Sequence, residues 1–187
     1  MEKVLKDGRL FKLLEKMDSD MAAVVEGEGC EHCGEAKLHH GDYPRKPRGG
    51  PQWDKRYSFC CAKEGCRKRK TPPSVRFLGR KVYAGVVIVL VSAMRHGLKA
   101  RRVKILRLAL RINERTLSRW RAWWLEDFAD SRFWKSARAF FTPRLDETLL
   151  PLSLVEAFRA KRRAGMARLM EFISPITVPA RKGAAAM

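Results

Sequence analysis

The sequence predicts a mainly α-helical protein with one small β element near its start, on three observations. Cysteines fall into two close clusters, Cys30/Cys33 and Cys60/Cys61/Cys66, separated by 26 residues. From Arg80 onward apolar residues recur at helical spacing. Beyond Phe128 the chain shows no alternation of the kind a strand requires.

The 187 residues suit one or two small domains with a real core. Lys and Arg number 40 against 20 Asp and Glu, a net charge of +20. That balance favours a polyanionic partner. The charge is uneven. Residues 1–29 carry 5 basic and 7 acidic groups, whereas 30–80 carry 13 and 5, 81–128 carry 11 and 3, and 129–187 carry 11 and 5. The first segment is therefore a poor surface for phosphate. Val82–Met94, the most apolar stretch, has 13 residues bracketed by Arg80, Lys81 and Arg95, too few to span a bilayer. The charged start, MEKVLKDGRLFKLLEKMDSD, does not read as a secretory signal. Five cysteines in that setting argue for a reduced, cytoplasmic compartment and against a disulfide framework.

The elements follow in order. Residues 1–29 read as an acidic N-terminal segment with a short amphipathic helix over 2–17, built on Val4, Leu5, Phe11, Leu14 and Met17. Residues 26–53, with PRKPRGGP, read as loop. In residues 53–61 Trp53, Tyr57, Phe59 and Cys61 alternate with one break, as in a strand, and Thr71-Pro72-Pro73 ends regular structure. Residues 81–128 read as three helices. The first covers Val82–Arg95 and is closed by Gly97, the second covers Lys99–Leu110, and the third runs from the capping residue Asn113 to about Phe128. Residues 129–187 form a helical extension, with helices at Leu152–Lys161 and Arg163–Ile173 and a disordered tail ARKGAAAM.

Cys30-Glu31-His32-Cys33-Gly34 is a knuckle in which Gly lets the chain turn so that amide N–H groups face the thiolates. Four thiolates at about 2.3 Å close a tetrahedral Zn²⁺ with no open position, which makes such a site structural. The spacing selects Cys30, Cys33, Cys61 and Cys66 for one zinc per chain, making residues 30–80 a zinc ribbon. Cys60 is the alternate, because Cys61-x4-Cys66 is nearer to knuckle spacing than Cys60-x5-Cys66. His32, His39 and His40 could each replace a thiolate. Lys63, Arg67 and Lys68 offset the charge of such a centre.

In the third helix Leu117, Trp120, Trp124 and Phe128 share one face. At 100° per residue Arg115, Arg119 and Ala122 lie opposite, with Ser118 on the flank. Arg115, Ser118 and Arg119 suit base edges and phosphate. Arg101, Arg102, Lys104 and Arg107 on the second helix, and Arg67, Lys68, Arg69 and Lys70 after the cysteines, suit the flanking phosphates. A plain helical bundle with a solvated basic face would carry the same pattern. Trp120, Trp123 and Trp124 read mostly as core.

Residues 112–120, Ile-Asn-Glu-Arg-Thr-Leu-Ser-Arg-Trp, resemble the turn and recognition helix of homeodomain-like helix-turn-helix units in transposases and invertases. Ile112 matches the turn hydrophobe, Asn113 the cap, and Thr116, Leu117, Arg119 and Trp120 the following run. Arg111 departs from the glycine usual in that family. With the ribbon upstream, residues 30–128 resemble the N-terminal DNA-binding region of bacterial insertion-sequence transposases and their small regulators. The resemblance implies a sequence-specific binder of duplex DNA at the nucleoid, acting as a homodimer or beside a strand-transferase. The residues after Phe128, with Asp130, Asp146 and Glu147, do not read as the α/β scaffold a strand-transfer enzyme needs, so a non-enzyme is expected. Two rival readings stand beside this one, the first of which keeps the same residues and changes only the partner. One is an RNA-binding zinc protein. The other is a His-metal-finger nuclease with His40 as base, disfavoured by the double proline after Arg67–Lys70. Thr71–Tyr83, TPPSVRFLGRKVY, carries no assigned function.

Overall fold

A computed structural model describes residue 4 and residues 6–45, 54–78, 85–93 and 113–178. Among these the chain is mainly helical, with a small antiparallel sheet and a cluster of cysteines. The predicted second helix, Lys99–Leu110, with Arg101, Arg102, Lys104 and Arg107, lies outside the described residues. So do the turn at Arg111-Ile112, Gly97, Trp53 and the tail. No described helix is long and apolar enough to cross a membrane.

Helix α1 spans Gly8–Gly27, capped by the Asp7 carboxylate, which accepts from the amides of Arg9 (3.0 Å) and Leu10 (3.2 Å). It begins later than the helix expected over 2–17 and ends ten residues beyond it. The reason is Asp18. It occupies the same i, i+4 stripe as Leu10, Leu14 and Ala22, and all four are buried. An acidic residue is here a buried member of the packing face.

The region read as loop over 26–53 contains the end of α1 and two strands, β1 (Leu38–His40) and β2 (Tyr43–Arg45). The single strand expected over 53–61 is two, β3 (Asp54–Arg56) and β4 (Phe59–Cys61), interrupted at Tyr57-Ser58. There Ser58 donates its amide to the Asp42 carboxylate at 3.0 Å. β2 pairs with β3, while β1, β4 and β5 (Arg69–Lys70) form a three-stranded antiparallel sheet with β4 in the centre. Leu38 lies opposite Cys61 and His40 opposite Phe59. None of these segments has strong strand propensity, so their pairing depends on long-range partners.

Two apolar cores result. The smaller gathers Ala22, Cys30, Leu38, Phe59 and Cys61. The larger unites Val4, Leu10 and Leu14 of the N-terminal segment with all other helices. Helix α1 thus spans both, with Asp18 between them. Asp18 accepts from Ser74 Oγ (2.7 Å), the Val75 amide (2.7 Å) and Arg76 Nε (2.7 Å), in an ion pair that is fully buried. Arg76 also donates to the Lys55 carbonyl at 2.8 Å. Ser74 donates its amide to Thr177 Oγ1, also at 2.8 Å. Nearby, Arg56 donates to the Pro72 carbonyl at 2.6 Å. The segment 72–78 is therefore the joint between the sheet, α1 and the C-terminal end of the described chain.

Helix α2 (Gly85–Ser92), the described part of the helix expected over Val82–Arg95, is buried at every residue, as its apolar composition dictates. Helix α3 (Glu114–Trp123) starts at Asn113, whose side chain accepts from the Arg115 amide at 3.0 Å, and continues as a π-helical turn over Trp124–Phe128. That wider turn keeps Trp124 and Phe128 together, edge to face at 4.8 Å. Helix α4 (Arg132–Ala137) is capped by Ser131. Helices α5 (Leu152–Ala157) and α6 (Arg163–Ile173) fall where the periodicity predicts them. A run of ring contacts joins Phe128, Trp134, Phe141, Phe158 and Phe172 at 5.2–6.0 Å. Helix α5 ends in a Schellman turn, with Ala160 N–H on the Val155 carbonyl, Arg159 N–H on that of Glu156, and Arg159 at φ 49° where glycine is usual.

Candidate functional site

The cysteine site is assembled by two turns and one strand. Gly29 (φ 67°) leaves α1 in the left-handed region, and a Cβ there would sit 2.7 Å from the Glu35 carbonyl. The chain then turns through Cys30–Gly34, with the Gly34 amide on the Cys30 carbonyl at 2.9 Å and the Cys30 amide on the Glu35 carbonyl at 2.8 Å. The second turn, Cys61–Cys66, is closed by the Cys66 amide on the Lys63 carbonyl at 3.2 Å, with Gly65 at φ 79°.

Together they place the sulfurs of Cys30, Cys33, Cys61 and Cys66 within 4.8 Å of one another. Cys30 and Cys66 are 3.8 Å apart, and Cys33 and Cys61 3.5 Å. A tetrahedron with spokes of about 2.3 Å has edges of about 3.8 Å, so one metal ion fits among them. Amides of His32 and Cys33 donate to the Cys30 sulfur, that of Glu35 to Cys33 and that of Lys63 to Cys61. The His32 amide is the largest influence on Cys30 and helps bring its thiol down to about 7. Burial pushes Cys61 up to about 12. At Cys33 the Glu35 amide favours the thiolate, but burial and neighbouring thiols hold the group above its ordinary value. Four thiolates would not share this space without a cation, and a metal ion held here would supply the compensating charge.

β4 settles the choice between adjacent cysteines. Its alternation turns Phe59 and Cys61 inward, while Cys60 is half-buried on the other face and its thiol points to the Arg67 carbonyl at 3.3 Å. His32, His39 and His40 are exposed and outside the cluster. His40 leans on Phe59, its ring centroid 5.1 Å away, with Glu26 and Asp42 carboxylates at 3.5 and 3.7 Å from its two nitrogens.

The basic residues after the second turn divide in two. Arg67 and Lys68 are exposed. Arg69 donates to the Gly41 carbonyl and Ser58 Oγ, both at 3.0 Å. Lys70 donates to Glu28 Oε2 at 2.8 Å and the Gly29 carbonyl at 3.2 Å, tying β5 to the end of α1. On α3, Leu117 and Trp120 are buried, while Arg115, Ser118 and Arg119 are exposed and Ala122 is half-buried. Arg119 reaches Thr116 Oγ1 at 3.3 Å. Trp124 is buried and Trp123 partly so.

Asp18, Ser74 and Arg76 are the residues a linear reading passes over. The one signal for Asp18 is its place on the Leu10–Leu14–Ala22 stripe. No family model matches the chain, and comparison with curated proteins and with solved structures returns no match.

Proposed function

We propose that the chain is a sequence-specific duplex-DNA-binding protein of the mobile-element or transposase-associated kind. In this reading Cys30, Cys33, Cys61 and Cys66 hold one structural zinc that organises a zinc ribbon, and α3 is the recognition helix of a helix-turn-helix. The observation that carries it is the polarity of α3. Its start is capped by Asn113, Leu117 and Trp120 anchor one face, and Arg115, Ser118 and Arg119 stand in solvent on the other. A helix seated on Leu117 and Trp120 with two exposed arginines one turn apart is equipped for bidentate contacts to guanine in the major groove. Arg67 and Lys68, exposed beside the metal centre, together with Arg101, Arg102 and Lys104, supply phosphate contacts. Arg69 and Lys70 add charge but are already bonded within the ribbon.

A four-thiolate site has no open position for substrate or water, which supports a binding role over catalysis. A homodimer, or a complex with a strand-transferase, fits the same reading, as does a place at the nucleoid. The test is selection from random-sequence duplexes with zinc-replete protein. A recurring motif recovered at physiological salt supports the reading. Recovery without any motif, with equal affinity for single-stranded RNA, refutes it. Supercoiled plasmid incubated with Mg²⁺ should remain uncut, whereas cleavage that disappears in His40→Ala would make the chain a nuclease.

A further inference from the structure

We propose that a cavity in the C-terminal region binds a small phosphorylated ligand with a planar ring, of the nucleoside monophosphate class. The cavity, of about 830 Å³, lies between the segment after α4, helix α5 with its closing turn, and α6. Its size is that of a small-molecule site. Three of its lining residues, Arg144, Arg159 and Arg168, have no carboxylate partner among the described residues, although Arg138, Arg163 and Arg76 are each paired. Set against Asp146 and Glu156 in the same lining, the three guanidinium groups leave the concavity net positive, and each matches the planar, bidentate geometry of phosphate.

Two further features say what accompanies the phosphate. Phe140 lines the same cavity with 85% of its surface exposed, an aromatic ring held in water with no described ring against it. A planar heterocycle stacked there would remove both apolar faces from solvent. Glu156, on α5, is exposed in the same lining and is placed to accept from a sugar hydroxyl, whereas the Asp146 carboxylate already takes the Thr148 amide and hydroxyl. The proposal does not depend on the DNA reading of α3.

The closing turn of α5 provides a clean variant. Arg159 occupies a left-handed backbone position that glycine adopts without strain, so Arg159→Gly removes the guanidinium without loosening the turn. Adenosine and guanosine 5′-monophosphate would be titrated calorimetrically into the zinc-replete full chain. Adenosine, inorganic phosphate and a short single-stranded oligonucleotide serve as separate arms. The expected result is one monophosphate bound per chain, more tightly than adenosine or phosphate. Arg159→Gly and Arg168→Ala should each weaken binding by about tenfold or more, with circular dichroism unchanged. Phe140→Ala should weaken the nucleotides but not inorganic phosphate. The proposal is overturned if neither monophosphate binds, if both arginine variants bind as the parent does, or if only the oligonucleotide binds.

Discussion

The cysteine module and the helical body of this chain are held by different physics. The module's core is five residues, two of them cysteines, and its strands are two or three residues long. Such a unit is too small to hold itself by apolar burial. Its four sulfurs converge on one point, where a metal ion could hold the turns together. The body buries entire aromatic and aliphatic side chains, Trp124, Trp134, Phe128 and Leu154 among them. The contrast separates sensitivity to metal from sensitivity to packing within one polypeptide, and α1 is where the two meet.

The largest effect should come from the metal. Chelation, or Cys33→Ser, should unfold residues 30–70 at a cost of roughly 10 kcal/mol of binding-linked folding energy. The helical body should keep its near-ultraviolet tryptophan signal. Cys60→Ser should retain one metal per chain and Cys61→Ser should lose it, as read by elemental analysis. The converse break lies in the body. Trp134→Ala opens a cavity in a fully buried site and should lower stability by about 3–5 kcal/mol in denaturant titration, with metal content unchanged.

Asp18 tests the joint. Asp18→Ala leaves Arg76 buried without its carboxylate and should cost about 3–5 kcal/mol, loosening both regions in hydrogen exchange. Asp18→Asn should cost less, because its amide oxygen can still accept from Ser74 or Val75. If Asp18→Ala affects one region and leaves the other untouched, α1 does not join them.

These residues also mark how far the sequence could be read. The four clustered cysteines were legible because spacing alone encodes a knuckle, and the spacing to Cys66 favoured Cys61 over Cys60. Asn113 was legible because capping is local, and α5 and α6 because their apolar period is. Strands β1 and β2 were not, since His39, His40 and Pro44 take extended form only through partners some 10 to 20 residues away. The extension of α1 was hidden for a related reason. Asp18 interrupts the apolar stripe that a local pattern follows, and its burial depends on contacts with a segment 56 to 58 residues distant. The same distance concealed the joint at Ser74–Arg76.

The smallest expected effect is on the surface. Arg163 donates to the Asp7 carboxylate at 2.8 Å and holds its pKa below the usual 3.8. A lowered folded value means that the stabilisation is fully present above the unfolded pKa and fades as pH falls through the folded one. Arg163→Ala should raise the Asp7 titration seen by NMR, with the Arg9 and Leu10 amides still holding part of the shift, and make the start of α1 fray at a higher pH. The change should be slight, as for other exposed pairs.

In the proposed function α3 would read DNA with Arg115 and Arg119, which are exposed and lie off its packed face. Arg115→Ala and Arg119→Ala should each leave thermal stability within about 0.5 kcal/mol, being exposed positions away from the packed face. The direct measurement is the ratio of affinities for a selected duplex and a scrambled one, taken at two or more salt concentrations. At least one of the two variants should lose about 1–3 kcal/mol of that discrimination. Arg67→Ala or Lys68→Ala should instead weaken both duplexes alike and make the salt dependence shallower. If both α3 variants keep the parent ratio while remaining folded, α3 is not a recognition helix, and the chain binds polyanions by charge alone.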